Sequence, residues 1–139
     1  ENFGWGWSSA TYNHKDLLVS LSKGLIALPF STWGYDEIQN EYTYNSGIVV
    51  LKFDLVDGFE MKTVGETEKV DYEFVTHEEN ANWDCYVYKA KFIDNYLYTV
   101  SNKYIKVSAL EDTETELYSV TLRDFEAQNN PGVEPEQVD

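Results

Sequence analysis

The chain has 139 residues, of which 25 are Asp or Glu and 10 are Lys or Arg, for a net charge of −15. That balance repels phosphate backbones and anionic bilayer surfaces, so nucleic-acid binding is not expected. Hydrophobic residues make up 42% and aromatics 16%, enough for a core and weighted towards side chains that suit half-buried pleated sheets.

In chain order, the apolar residues fall in short runs broken by turn residues, the pattern of strands and not of helices. Residues 17–21 form the first run, and Ser22, Lys23 and Gly24 turn it into residues 25–28. Pro29 is expected to stop that second strand, because it cannot donate to a ladder. Residues 33–46 read as an inserted aromatic and acidic loop. The third strand is residues 48–53, and Asp57-Gly58 is a strong hairpin signal leading into a fourth at 59–64. Gly65 ends it, and residues 66–84 read as a connector.

A second set follows the same plan. Residues 86–93, 96–100, 104–110 and 116–122 are expected strands, with Asp94-Asn95 as a tight turn between the first two. Residues 123–139 read as an acidic, disordered tail, with no basic residue after Arg123.

The two sets align. Ile48 matches Ile105 at an offset of 57, and Met61 matches Tyr118 at the same offset. Leu28 matches Thr99 at 71, and the excess of 14 is the length of the 33–46 insertion. An internal repeat of four antiparallel strands points to an all-β fold of two consecutive β-propeller blades, a partial propeller. Blade one is expected at about 12–65 and blade two at about 86–122, within a unit spanning 1–122. No run of about 18 apolar residues offers a transmembrane helix. The chain begins at Glu1 with no signal-peptide pattern to read, and the expectation is a piece of a longer protein.

These residues also carry a family resemblance. Tyr12-Asn13-His14-Lys15-Asp16-Leu17-Leu18, Gly24 through Pro29, and Ile93-Asp94-Asn95-Tyr96-Leu97-Tyr98-Thr99-Val100-Ser101 resemble the closing blades of a family of bacterial and archaeal proteins. Those are secreted proteins with a C-terminal β-propeller domain, distantly related to WD repeats. The resemblance covers roughly residues 10–122 and implies an extracellular or cell-envelope location, with the remaining blades of a parent protein as partners. It implies no activity. The chain departs from the family in a longer 33–46 segment and in the histidine after Gly65, which is displaced to His77.

Site candidates are few. Trp33, Tyr35, Tyr42 and Tyr44 would suit a protein or glycan ligand, with Trp5 and Trp7 nearby; the plainer account is packing between blades. Tyr12 and His14 read as structural, the His14 ring tying neighbouring strands or blades together. His77, Glu78, Glu79 and Asp84 would supply a calcium site, although no EF-hand spacing is present and a solvated acidic loop is the plainer account. Cys85 stands alone, with no nucleophile context. The expectation is therefore a non-enzymatic, secreted interaction module. One alternative is a propeller hydrolase or lyase using Asp36, Glu37 or Glu41 as acid and base at an axial mouth. Another is a calcium-braced structural module, and a bare two-blade piece is expected to self-associate.

Overall fold

A computed structural model describes residues 5–78 and 85–122. The expected tail at 123–139, together with Glu79 and Asp84, lies outside the described residues.

The elements are β1 (Trp5–Trp7), β2 (Leu18–Ser20), β3 (Leu25–Asp36), β4 (Glu41–Asp54), β5 (Gly58–Phe59), β6 (Met61–Val64), β7 (Thr67–Val70) and β8 (Glu73–Thr76), then β9 (Lys89–Ile93), β10 (Tyr96–Val100), β11 (Tyr104–Ala109) and β12 (Asp112–Thr121). Two single 3-10 turns, Ser9–Thr11 and His14–Asp16, join β1 to β2. Blade two is the meander β9-β10-β11-β12 that the sequence leads one to expect. Asp94 takes a positive φ of 52° in its first turn.

Blade one is β2-β3-β4-β8, all antiparallel. Its fourth strand is Glu73–Thr76, not 59–64. Gly58–Phe59 pairs with only two residues at the end of β4, and Met61–Val64 pairs with Thr67–Val70 as a separate exposed hairpin. The physical reason lies in side-chain burial. The fourth position must place an apolar residue against Ile48, and Val75 does so with 7% exposure, whereas Met61 is 50% exposed. The repeat then reads strand by strand. Leu25 pairs with Lys52 and Tyr96 with Ala109, which keeps offsets of 71 and 57 for the second and third strands. Ile48 pairs with Val75 and Ile105 with Val120, so the fourth strands differ by 45. The 12-residue shortfall against 57 arises from the β5–β7 excursion.

Pro29 does not stop β3. Its carbonyl accepts from the Ser8 hydroxyl on the flank of the strand away from β4. In an antiparallel strand, the nitrogen of the same residue points to that flank too. Pro29 sits between the stretch covered by β2 (25–27) and the stretch covered by β1 (31–33), so no partner requires its missing N–H. Gly24 is held at φ +62°, and a Cβ there would strike the Phe53 carbonyl; only glycine suits this turn.

The core lies between the blades. Leu25, Ala27, Ile48, Val50 and Val75 from blade one meet Val87 and Leu97 from blade two, with Leu18, Ala90, Phe92 and Leu110 packed around them. Side chains alternate along every strand, so the opposite face of each blade remains open. On blade one that face carries Leu28, Phe30, Val49, Leu51 and Phe74, which line a broad groove. On blade two it carries Tyr96, Tyr98, Val100, Ile105, Val107 and Val120, which share a face by register.

Candidate functional site

The 33–46 segment is a continuation of strands and not a loop. β3 and β4 stay paired from Leu25↔Lys52 out to Asp36↔Glu41. The distal half of this hairpin projects as an arm beyond the body of blade one, and β1 covers its free side through Trp5↔Trp33 and Trp7↔Ser31. The turn is held by Asp36 Oδ1, which accepts from the backbone N–H groups of Ile38 at 2.8 Å and Gln39 at 3.1 Å. Asn40 closes it at φ 56°.

Residues opposite one another across antiparallel strands share a face, as do residues two apart. One face of the arm therefore collects Trp5, Trp7, Trp33, Tyr35, Tyr42 and Tyr44. Trp33 and Tyr44 lie with ring centroids 5.5 Å apart, and Tyr35 and Tyr42 5.0 Å apart. Near the body this same face buries Leu25 and Ala27 against blade two. Past Ser31 no core remains to cover it. Trp5 is 86% exposed and Tyr42 88%, with Trp33, Tyr35 and Trp7 near 40%. The four ring residues singled out in the sequence are thus brought together, as two directly opposed pairs. The root of the arm is pinned, since Ser46 Oγ accepts from the Val87 N–H at 3.1 Å and Tyr44 donates to Ser31.

Tyr12 lies beside Trp7, with ring centroids 6.3 Å apart and tilted by 33°, at the foot of the arm. His14 is exposed on its 3-10 turn, and the bond between blades expected of it is made by His77. That ring is 4% exposed, with Nδ1 2.8 Å from the Ser101 hydroxyl and Nε2 2.8 Å from the Thr99 hydroxyl. Its carbonyl accepts from Lys106 Nζ at 2.9 Å. Burial, followed by the Lys106 charge, lowers the His77 pKa to about 4, so the ring is neutral at pH 7. Both of its nitrogens are engaged by hydroxyls of blade two. Glu78 accepts from the Tyr104 hydroxyl at 2.8 Å and from Lys103 at 3.3 Å. The Tyr104 bond is the main influence holding its carboxyl below the usual range. Of the residues grouped as a calcium site, these two serve contacts between blades. Among the described residues no three His, Cys, Asp or Glu side chains gather around a common point.

Other contacts between the blades have no marker in the sequence order. Glu73 accepts from both the backbone and the hydroxyl of Thr113 and pairs with Lys52. Glu114 accepts from the Phe74 N–H at 3.0 Å. The available signal was Thr99-x-Ser101, two hydroxyls on the buried face of a strand. Hydroxyls there require partners, and a buried histidine is one.

The arm offers ring faces and hydrogen-bonding edges. The acid–base candidates at its tip are Asp36, whose carboxylate already serves the turn, and the exposed Glu37 and Glu41. A family model described as "Beta propeller domain" matches residues 2–113. No curated protein and no solved structure matches the chain.

Proposed function

Because this chain belongs to the β-propeller domain family, we propose that it is a non-enzymatic binding module working outside the cell or at its envelope. Its blades are the scaffold and its arm is the ligand-binding device, for a protein or glycan partner. The observation that carries this reading is the exposure of paired rings on a strand pair longer than the blade requires. A blade gains nothing from Trp33, Tyr35 and Tyr42 placed beyond its core, and contiguous exposed aromatics mark interaction surfaces. Among the described residues no helix is long and apolar enough to cross a membrane. An extracellular location rests on the family resemblance of the strand motifs, and the acidic composition is compatible with it.

The test removes the arm without touching the body. Replacing residues 33–44 by Asn-Gly supplies a two-residue hairpin turn between Thr32 and Asn45, which are already paired. The shortened chain is expected to keep its far-UV circular dichroism, and its melting temperature is expected to fall by no more than about 5 °C. On glycan and peptide arrays it should lose the ligands that the full chain captures. Identical capture by both chains would refute the proposal.

A further inference from the structure

We propose that the arm's ligand is an extended basic polypeptide segment with arginine at every second position; this rests on the reading of the arm as a binding device. The first ground is charge. Residues 24–51 contain no Lys, Arg or His, and their acids, Asp36, Glu37 and Glu41, all lie at the tip. The flanking Lys23 and Lys52 sit at the opposite end of the hairpin, since Lys52 pairs with Leu25 and Glu41 with Asp36. Eleven residues at about 3.4 Å each put Lys52 roughly 37 Å from the tip, several Debye lengths at physiological salt. Lys15, near the arm's foot, is next to Asp16 in a chain of net charge −15. The potential over the rings is therefore negative and repels phosphorylated, sulfated or carboxylated ligands.

The second ground is the rings themselves. Aromatic faces carry the negative part of the ring quadrupole and attract cations. A guanidinium stacks flat on Trp or Tyr and still presents N–H groups to a carboxylate. The guanidinium takes the ring face, while Asp36 and Glu41, which by register stand on the other face of the hairpin, act on it only through the negative field of the tip; a neutral sugar gains nothing from that field. The third ground is spacing. The rings stand in three tiers, Trp7, then Trp5-Trp33-Tyr44, then Tyr35-Tyr42, each two residues from the next. Two residues of strand span about 6.7 Å, which is also the distance between side chains i and i+2 of an extended peptide.

The experiment titrates the full chain, by tryptophan fluorescence, with the octapeptide (Arg-Thr)4, with (Glu-Thr)4 and with an uncharged β-glucan oligosaccharide. The expected result is binding of the arginine peptide alone, weakened about fivefold or more by Tyr42→Ala or Glu41→Lys and by raising salt from 0.05 to 0.5 M. Thr43→Ala, on the opposite face of β4, should leave the affinity unchanged. Tyr42 is exposed, so its removal leaves the fold intact and unfolding cannot mimic the loss. If Tyr42→Ala binds the arginine peptide as tightly as the parent, general charge attraction explains the binding and the inference is overturned. If the oligosaccharide or the acidic peptide binds in an arm-dependent way and the arginine peptide does not, the inference falls while the binding-arm reading stands. If no probe depends on the arm, both fall.

Discussion

His77 has both ring nitrogens in hydrogen bonds to blade two and its carbonyl on Lys106, so one residue of the connector ties the two sheets together at three points. A pH dependence follows. The folded ring resists protonation until about pH 4, whereas in the unfolded chain it takes a proton near pH 6.5. Above 6.5 both states are neutral and stability is unaffected. As the pH falls from 6.5 towards 4 the unfolded state gains a proton that the folded state refuses, and stability declines. Between pH 7 and pH 5 the decline should be on the order of 2 kcal/mol. The carboxylates with lowered pKa values, Glu73 among them, lose their contribution only at lower pH, so this window isolates the histidine. Urea denaturation at pH 7 and pH 5 checks it, and His77→Gln should remove most of the difference. An unchanged difference in that variant would mean that another group titrates. The sequence drew attention to His14 because it abuts a strand. What selects His77 is the pair of buried hydroxyls it meets across the sheet gap, and sequence distance does not encode that meeting.

At the level of elements, the four strands of blade two were legible in order, although its first starts at Lys89 and not 86 and its last at Asp112 and not 116, and blade one was legible in three strands of four. Local pattern identifies a strand, but only burial decides which strand fills an edge. Residues 59–64 have strand composition and follow an Asp-Gly turn, so they form a strand. They form it with Thr67–Val70 in the solvent, while Glu73–Thr76 reaches the edge of β4 and the face of blade two. The difference is measurable. Val75→Asp would bury a carboxylate beside Ile48 and should cost at least about 3 kcal/mol. Met61→Asp should change stability by no more than about 0.5 kcal/mol. Equal costs would restore 59–64 as a core strand. The arm is a strand pair and not the expected loop for a related reason. Pro29 and the acidic residues Asp36, Glu37 and Glu41 look like breaks, yet Pro29 falls in a gap between flanking strands and the acidic residues mark the tip of one long hairpin. The aromatic alternation Trp33-x-Tyr35 and Tyr42-x-Tyr44 was visible in the sequence, and read at period two it marks a strand face.

At the level of the whole molecule, two sheets of one design share a single buried seam. Their polar contacts there, Glu73 with Thr113 and His77 with Ser101, leave no described buried side-chain nitrogen or oxygen without a partner. The repeat has a further consequence. Tyr96, Tyr98, Val100, Ile105, Val107 and Val120 occupy in blade two the places that Leu25, Ala27, Pro29, Ile48, Val50 and Val75 occupy in blade one. The first set thus repeats the face by which blade one packs on blade two, and Leu28, Leu51 and Phe74 lie on the face that in blade two packs on blade one. Contiguous apolar sheet faces of this kind mark contact surfaces, and for the isolated chain we propose a second copy as the occupant.

Sedimentation velocity of the 139-residue chain at about 0.15 M salt, over a hundredfold range of concentration, tests this most directly. The screening at that salt keeps the net charge of −15 from masking contact between faces. We predict a sedimentation coefficient that rises with concentration, and a return to the monomer value in the paired variant Leu51→Lys with Val107→Lys. A wild-type chain that sediments as a compact, stable monomer throughout would contradict an open stack of two blades with its outer faces awaiting partners.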